Sequence, residues 1–366
     1  MLKPCKTAIS YRRQAVRLIT GCALAFGMPD AAIAESLAWI NVDATAHWTP
    51  RSGHAALVFE NKMWILGGRD GEGPKNDVWY STNGANWTLA TATTQWSPRE
   101  EHSSVVFDNR MWVIGGSGRR NDVWSSSDGI DWNQVTSSAG WTGRSRHSSI
   151  VFDNRMWVIG GSDENPDPGK RAHKNDVWYS GDGANWASAT LEAPWVGRDD
   201  HTSIVLQDRI WVIGGGRMLL GPDDSTGLSD VWSSGDGSDW TRATDAAPWI
   251  NRVDHSSVVF DGQLWLIGGV FTRGFAGVTI QNDVWSSENG TDWTRTTAVA
   301  DWAARHGHSS LSYDGKIWVL GGQNQSDKAN DVWYSEQGEY TSDVDGDGVV
   351  NRRDLLMLMI EWKKTN

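Results

Sequence analysis

The sequence predicts an all-β fold, a six-bladed β-propeller closed by an N-terminal strand, and three regularities carry the prediction. Tryptophan recurs at four fixed places in each of six repeats, and these places with Trp362 account for all 25 tryptophans. A Gly-Gly pair ends 20 residues after the first tryptophan of every repeat. An Asp-Val-Trp triplet follows that pair, and in five repeats another tryptophan stands 10 residues after the Asp. Intervals that do not vary indicate one strand framework built six times.

The first two strands of each repeat are predicted to form a hairpin. In the second repeat, Ser103 to Asp108 and Arg110 to Gly115 are rich in apolar and β-branched residues and meet at a tight turn. The stretch from Met111 to Ile114 is apolar without alternation, which is typical of a strand covered on both faces. We therefore expect one four-stranded blade per repeat, with the blades stacked face to face.

A segment of variable length separates the hairpin from the third and fourth strands. Gly-Gly and Asp-Val-Trp are 9, 6, 15, 15, 14 and 9 residues apart in the six repeats, and all the length variation lies there. A packed strand cannot absorb insertions while its neighbours keep register. This segment is therefore predicted to be a surface loop.

The sixth repeat predicts how the ring closes. Thr341 stands where a tryptophan is due, whereas Trp39 precedes Trp48 by the 9 residues that separate the equivalent tryptophans elsewhere. The segment around Trp39 is therefore predicted to be the outer strand of blade six. We expect a propeller over residues 35–342 in which residues 35–47 close the ring and remove its open edge.

These residues resemble the Kelch family of β-propellers, which carry a Gly-Gly after the second strand, an aromatic residue in the third and a tryptophan in the fourth. The resemblance covers residues 37–342. The turn before the fourth strand, as in Ser127-Asp128-Gly129 ahead of Trp132, also resembles the Asp-box of sialidases. The family resemblance implies six blades around a central channel.

Residues 1–34 are predicted to be an export signal. Residues 1–17 carry five basic side chains, an apolar stretch follows, and the Ala-Ile-Ala at 32–34 is a signal-peptidase sequence. The Arg12-Arg13 pair leaves a twin-arginine signal open and Cys22 a lipoprotein signal, but simple cleavage near position 34 fits better. We expect an exported protein, periplasmic or extracellular, without a transmembrane segment.

Cleavage of this signal would change the composition. Both cysteines, Cys5 and Cys22, lie within it, so the mature chain would have none. Loss of residues 1–34 removes five basic residues and one acidic residue, which leaves 28 basic residues against 44 acidic ones. This surplus of negative charge argues against a nucleic-acid partner.

The C-terminal segment predicts a calcium site. Oxygen ligands stand at positions 1, 3, 5, 7, 9 and 12 of a loop, with a glycine at position 6 for the sharp turn. The ligands are Asp343, Asp345, Asp347, the carbonyl of Val349, Asn351 and Asp354. Residues 343–366 resemble one repeat of a dockerin domain. That resemblance implies Ca²⁺ as the cofactor and a cohesin-like partner for the tail.

Every repeat has an Arg-x-x-His at the entry to its inner strand. Six guanidinium groups near one channel mouth could hold a carboxylate or a sulfate, and a ring of histidines could hold a metal. Alternatively, these side chains satisfy loop carbonyls within each blade, which their equal use in all six copies favours. The arginines are Arg51, Arg99, Arg144, Arg198, Arg252 and Arg305. The same argument makes the repeated Asp and Trp structural.

Recognition is expected where the repeats differ, on the long loops of blades three, four and five. These loops combine basic and apolar residues, and Arg171, Arg217 and Phe271 are the candidate ligand contacts. The alternative, that the apolar residues pack each loop onto its own blade, is equally open.

Three functional classes follow. The first and favoured one is a binding module for an extracellular glycan or protein, and the third is a structural surface protein held by its tail. The second is an enzyme, because the chain resembles secreted propellers such as galactose oxidases and periplasmic sialic-acid mutarotases. A galactose oxidase needs a cysteine that the mature chain would lack, whereas a mutarotase needs only an acid and a base. Candidates for these are Glu72, Glu100, Glu101, Asp199 and Asp200.

Overall fold

The computed structural model describes residues 37–43, 45–164, 171–218, 225–272 and 278–337. The predicted export signal and the predicted calcium loop lie outside these ranges, as do the side chains of Arg171 and Arg217. All regular structure in the described part is β-strand. No helix within these ranges is long and apolar enough to cross a membrane.

Six antiparallel sheets form the six blades, with the strands of each blade arranged in chain order except at the closure. Blade one consists of Ala55–Phe59, Lys62–Arg69, Pro74–Ser81 and Thr88–Thr91. Blade two consists of Ser103–Phe107, Arg110–Gly116, Arg120–Ser126 and Asn133–Thr136. Blade three consists of Ser148–Phe152, Arg155–Ile159, Val177–Ser180 and Ala187–Thr190.

The second half of the ring repeats this plan. Blade four consists of Thr202–Leu206, Arg209–Ile213, Val231–Ser234 and Trp240–Thr244. Blade five consists of Ser256–Phe260, Gln263–Thr272, Val278–Ser287 and Thr294–Thr297, with the short strand Arg252–Val253 added beside the second. Blade six consists of Ser309–Tyr313, Lys316–Gln323, Lys328–Gln337 and the N-terminal strand Leu37–Asp43.

The N-terminal strand closes the ring in the place that the spacing of Trp39 predicts. Trp39 lies opposite Ser335 in the antiparallel register, and its ring meets Trp302 edge-on at 5.8 Å and 89°. The first strand of each blade contacts the first strands of both neighbouring blades, including blade one with blade six. The six inner strands therefore form a closed ring, and the prediction of a six-bladed all-β propeller is confirmed.

The variable segments of blades three and four differ from the prediction of simple loops. Ser162–Glu164 pairs with Arg171–His173 in blade three, and Gly216–Met218 pairs with Ser225–Gly227 in blade four. These two-stranded ribbons exist because a long insertion can satisfy its backbone groups by continuing the hairpin that it interrupts.

Six apolar clusters fill the spaces between neighbouring blades. One of them joins Trp64 and Leu66 of blade one to Met111 and Val113 of blade two. Within such a cluster the first tryptophan of a blade meets the fourth edge-on, as Trp96 and Trp132 do at 5.9 Å and 89° in blade two. An aromatic pair of this geometry adds about 1 kcal/mol to the burial of the rings. Repetition of the tryptophans thus produces a repeated core.

The repeated Gly-Gly marks a close approach of two strands. Gly68 has a φ of 93°, and a Cβ there would lie 2.6 Å from the Cβ of His54. Any side chain at this position would collide with the inner strand and would strain the backbone. The pair therefore belongs to the framework, because it lets the end of the second strand pack directly against the inner strand.

Candidate functional site

The six repeated arginines are buried and bound to the repeated aspartates. In blade two, Arg99 Nη1 and Nη2 each lie 2.8 Å from one carboxylate oxygen of Asp122, and Nη1 also donates to the Gly115 carbonyl at 2.8 Å. Trp124 Nε1 donates to the same carboxylate at 2.8 Å. The pattern recurs in every blade. We call these six ion pairs the Arg–Asp lattice.

This lattice links three parts of each blade: the entry to the first strand, the Gly-Gly after the second strand and the Asp of the third strand. Although burial opposes it, the hydrogen bonds and charge of Arg99 hold the pKa of Asp122 below its usual value. The six guanidinium groups are 0 to 3 % exposed and are already paired, so they do not offer an anion site at the channel mouth. The ligand role predicted for Arg51, Arg99, Arg144, Arg198, Arg252 and Arg305 does not fit this arrangement, because an anion would have to displace the aspartates. The alternative, that the arginines satisfy loop carbonyls within each blade, matches the bonds from Arg99 to the carbonyls of Ser97 and Gly115.

The six repeated histidines line one cavity together with the residues that directly precede them. Burial lowers their pKa values, to about 3 for five of them, so they are neutral near pH 7. The five are His54, His147, His201, His255 and His308. In the part of the chain that the structure describes, no three or more His, Asp or Glu side chains are grouped to hold a metal ion.

The residue directly before each of these histidines lies in a closed ring of backbone hydrogen bonds. The amide of each one donates to the carbonyl of its counterpart in the preceding blade, and the first donates to the last. The pairs are Glu101 to Gly53 at 2.8 Å, Arg146 to Glu101 at 2.9 Å, Asp200 to Arg146 at 3.1 Å, Asp254 to Asp200 at 3.0 Å, Gly307 to Asp254 at 3.2 Å, and Gly53 to Gly307 at 2.9 Å. We call these six residues the mouth ring.

Four members of the mouth ring carry charged side chains. Arg146 lies between two of them, 2.7 Å from a Glu101 oxygen and 3.0 Å from an Asp200 oxygen. Asp254, the fourth, lies 2.6 Å from His306 Nδ1. The side chains of Glu101, Arg146 and Asp200 are 24, 26 and 17 % exposed, so they face the channel mouth without being free in solvent.

The charges of the mouth ring are unevenly matched. The ring holds three carboxyl groups and one guanidinium, which contacts two of them, and burial raises the pKa of Asp200 well above its usual range. The charges of Asp254, Asp199 and Glu101 add to that rise, while Arg146 opposes it. The arc from Glu101 to Asp254 therefore holds a proton more readily than separate carboxylates do, and it attracts positive charge.

The backbone of the mouth ring is strained where it carries side chains. All six members have left-handed φ values between 51 and 61°, a region that suits the two glycines but costs the other four residues energy. Strain of this kind persists at sites where a side chain must point in a particular direction. Here the direction is into the channel mouth.

Two neighbouring cavities lie at this place. One of about 130 Å³ lies within the mouth ring, and a second of about 260 Å³ shares Glu101 and Arg146 with it. Ser117, Ser145 and Ser162 contribute hydroxyls to the second cavity. Its lining comes from blades two and three.

The predicted site residues separate into two groups. Glu101 and Asp200 come together in the mouth ring. Glu100 pairs with Arg69 at 2.8 Å, Asp199 lies 3.5 Å from His173 Nε2, and Glu72 pairs with Lys75 at 3.0 Å on the exposed rim. Phe271 lies in the second strand of blade five, opposite Arg252 of the added strand. It is not among the residues that line the cavity within the mouth ring. The side chains of Arg171 and Arg217 lie outside the described residues.

Sequence reasoning missed Arg146, Asp254 and His306. A signal for two of them existed, because the residue directly before the repeated histidine differs between copies, whereas that histidine and the arginine three places before it are the same in all six. Two glycines, two aspartates, one glutamate and one arginine occupy this place. In a repeated framework, a position that varies in charge beside invariant ones is the expected mark of a site.

Comparisons with known proteins agree with this architecture. A solved structure titled "Structure of YjhT" is 16 % identical, with a TM-score of 0.63 over 80 % of this chain and 96 % of that one. The Leucine-zipper-like transcriptional regulator 1 homolog of Drosophila melanogaster is 26 % identical over 159 residues, 40 % of this chain, and the match spans only 15 % of that relative's length.

Two family descriptions match directly. Residues 50–80 and 304–334 match the Kelch motif. Residues 80–269, more than half of the chain, match the KLHDC2/KLHL20/DRC7 Kelch-repeats domain. The chain belongs to the family of KLHDC2/KLHL20/DRC7 Kelch-repeats domains.

Proposed function

We propose that this Kelch propeller is an exported recognition module that binds a protein partner through a basic group held at the mouth ring. The observation that carries the proposal is the arc of Glu101, Arg146, Asp200 and Asp254. These four charged side chains occupy equivalent positions in four blades of the same architecture. The three carboxyl groups outnumber the guanidinium, so the arc complements a Lys or Arg side chain or an amine. Kelch-family membership supports a protein as the partner.

A glycan is the less favoured ligand at this place. Sugar-binding surfaces commonly use an aromatic face, and the described residues lining the two cavities include no Phe, Tyr or Trp. The hydroxyls and carboxylates of the second cavity could still bond to sugar hydroxyls. A glycan array is therefore the natural comparison for a peptide array.

The test is binding of the mature protein to arrayed peptides rich in Lys and Arg, to acidic peptides and to glycans. We expect the basic peptides alone to be retained, and retention to fall with added salt. Glu101→Gln and Asp254→Asn should each weaken binding about tenfold, the effect of roughly 1.4 kcal/mol. Glu192→Gln, at an exposed position on the outer rim, is the matched control. The proposal would be contradicted if Glu192→Gln weakened peptide binding as much as the two mouth-ring variants, or if the protein retained glycans and not basic peptides.

A second candidate function is acid–base catalysis on a sugar. The raised pKa of Asp200 beside Glu101 favours it, since a protonated carboxyl next to an ionised one can serve as acid and base. The measurement is the rate of anomer exchange of reducing sugars by NMR, with Asp200→Asn as the inactive variant. No acceleration by the wild-type protein would remove this candidate.

The tail proposal rests on the sequence alone. We propose that the loop from Asp343 to Asp354 binds Ca²⁺ and attaches the propeller to a cohesin-like or other partner. Calorimetry of the mature full-length chain should show one site with a dissociation constant of roughly 0.1–1 mM. Asp345→Ala should abolish the calcium signal and leave retention of basic peptides unchanged. Calcium binding that survives this substitution would contradict the assignment.

A further inference from the structure

A relay of hydroxyl groups connects the inner strands just below the mouth ring. The hydroxyl residue after the repeated histidine of one blade bonds to the histidine of the next blade and to a serine two residues beyond that histidine. Ser103 Oγ, for example, lies 2.8 Å from His147 Nε2 and 2.6 Å from Ser149 Oγ. The other three junctions centre on Ser148, Thr202 and Ser256.

Blade one interrupts this relay because alanine occupies both of its hydroxyl positions, Ala55 and Ala56. His102 and Ser104 of blade two therefore face a methyl group where their counterparts face a hydroxyl. Both ring nitrogens of His102 and the hydroxyl of Ser104 find no hydrogen-bond partner among the described residues. The buried polar groups left in this way cost energy unless something else bonds to them.

The same interruption affects the other side of blade one. Ser309 of blade six donates to the backbone carbonyl of His54 at 2.9 Å and not to its ring. Neither ring nitrogen of His54 has a partner within the described ranges. His54 and His102 are each only 6 % exposed, and both line the cavity inside the mouth ring.

The mouth ring lacks side chains at blade one, beside His54, and at the neighbouring blade six. Gly53 and Gly307 are adjacent members of the ring and have no side chains, whereas the next members on either side are Glu101 and Asp254. The two glycines above, with His54, His102 and Ser104 below, define what we call the blade-one notch. Among the described residues, it is the sector in which the ring lacks side chains and in which the histidine Nε2 atoms lack partners.

The chemistry of the notch selects a hydroxyl group. A neutral imidazole offers one donor and one acceptor, and Ser104 offers both, so the occupant must donate and accept. Ser103, Ser148 and Ser256 show that a hydroxyl meets this need at the equivalent places. An anion is disfavoured because Glu101 and Asp254 flank the entrance, and the same carboxylates favour an ammonium group beside the hydroxyl.

We propose that the blade-one notch binds a vicinal amino alcohol, with the hydroxyl between His102 and Ser104 and the ammonium between Glu101 and Asp254. Glu101 and His102 both line the cavity of about 130 Å³ within the mouth ring, and a Cβ at Gly53 would lie 3.6 Å from Glu101 Cγ. A ligand that reaches both residues in so small a space must carry its ammonium and hydroxyl groups close together. An N-terminal Ser or Thr of a polypeptide has this unit. The inference rests on the proposed function, because it specifies which basic group of a protein partner the mouth ring holds.

The test uses three small probes, ethanolamine, ethylamine and ethanol, with the mature protein carrying isotope-labelled histidine. The chain has nine histidines, so the ring signals of His54 and His102 can be assigned with single substitutions. We expect ethanolamine to shift these signals and to bind about fivefold more tightly than ethylamine, the gain of one hydrogen bond of roughly 1 kcal/mol. Ethanol alone should bind most weakly.

Ala55→Ser provides the decisive variant, since it restores the hydroxyl from the chain itself. We expect it to raise the melting temperature and to abolish the preference for ethanolamine over ethylamine. Equal binding of the two amines by the wild-type protein would show that the notch holds an ordered water only and would overturn the inference. In that case loss of both amines in Glu101→Gln would still support the proposed function.

Two peptides that differ only at the first residue complete the test. A peptide that begins with Ser should bind about fivefold more tightly than one that begins with Ala, and Ala55→Ser should remove the difference. Tighter binding of glucosamine, which has the same amino alcohol unit, than of the Ser peptide would overturn the assignment to a polypeptide. No binding of any amine, with a normal gain in melting temperature for Ala55→Ser, would reject both proposals.

Discussion

Two arginines of blade three, separated by one residue, belong to two different regions of the molecule. Arg144 is repeated in all six blades, is 1 % exposed, and bonds to Asp176 at 2.7 Å. Arg146 stands in the mouth ring, has no counterpart in another blade, and is 26 % exposed between two carboxyl groups. The difference shows that repetition marks the framework of this propeller and that departure from repetition marks its site.

The framework gives the site its precision. The Arg–Asp lattice fixes the residue two places before each mouth-ring position, and the channel histidine fixes the residue after it. The closed ring of amide-to-carbonyl bonds then sets the direction of each side chain. A mouth-ring residue can therefore be exchanged without moving the backbone, and six blades offer six such places around one channel.

The largest expected difference between the two regions is in their response to acid. Five channel histidines have folded-state pKa values of about 3 against 6.5 when exposed, so their contribution to stability is complete above pH 6.5 and is lost as the pH falls toward 3. By pH 5 each histidine should lower the free energy of unfolding by up to about 2 kcal/mol. The five losses together approach the whole stability of an ordinary domain, roughly 5–15 kcal/mol.

Calorimetry between pH 7.5 and 4.5 tests this expectation. The melting temperature should fall steeply below pH 6.5. His201→Gln removes one titrating ring and should show a shallower decline than the wild-type protein, with a lower melting temperature at pH 7.5. A melting temperature that is constant from pH 7 to pH 5 would mean that the channel histidines are not held neutral.

The second prediction compares the two arginines directly. Arg144→Ala removes a fully buried guanidinium and its bonds to Asp176 and to the Gly160 carbonyl, which should lower the free energy of unfolding by about 3–5 kcal/mol. Arg146→Ala should cost much less stability, because Arg146 is 26 % exposed and the raised pKa of Asp200 lets that carboxyl group take up a proton. Its effect should fall on ligand binding instead. The measurements are denaturant unfolding and peptide binding of both variants. Equal losses of stability would contradict the distinction between framework and site.

The sequence predicted the framework well because its evidence is in intervals. The 9-residue spacing of Trp39 and Trp48 was enough to assign the closing strand. The Arg–Asp lattice was not predicted, since Arg99 and Asp122 are separated by a variable loop and their pairing appears only when the blade is folded. The mouth ring was missed for a different reason. The left-handed backbone at Glu101 and Arg146 and the hydrogen bonds between blades appear only in the folded ring, so the sequence shows variation at this position but not the ring itself.

The third prediction concerns two aspartates with opposite pKa shifts. Burial raises the pKa of Asp200, so the stability it contributes is present at low pH and is lost as the pH rises through the folded-state value. Asp200→Asn should therefore stabilise the protein at pH 7.5, by on the order of 1 kcal/mol. Despite burial, Arg144 lowers the pKa of Asp176, so Asp176→Asn should destabilise it. Thermal melts at pH 7.5 that change in the same direction for both variants would contradict the contrast.

The smallest expected effect belongs to Gly53, on the open side of the mouth ring. A Cβ there meets nothing closer than 3.5 Å, so Gly53→Ala should cost only the strain of a left-handed alanine, roughly 1 kcal/mol. Gly68→Ala is the matched framework variant and should cost far more, because its Cβ would lie 2.6 Å from His54. The methyl group of Gly53→Ala would narrow the entrance to the blade-one notch, so ethanolamine binding should weaken more than stability does. If ethanolamine binds this variant as tightly as it binds the wild-type protein, the ligand does not enter between Gly53 and Gly307.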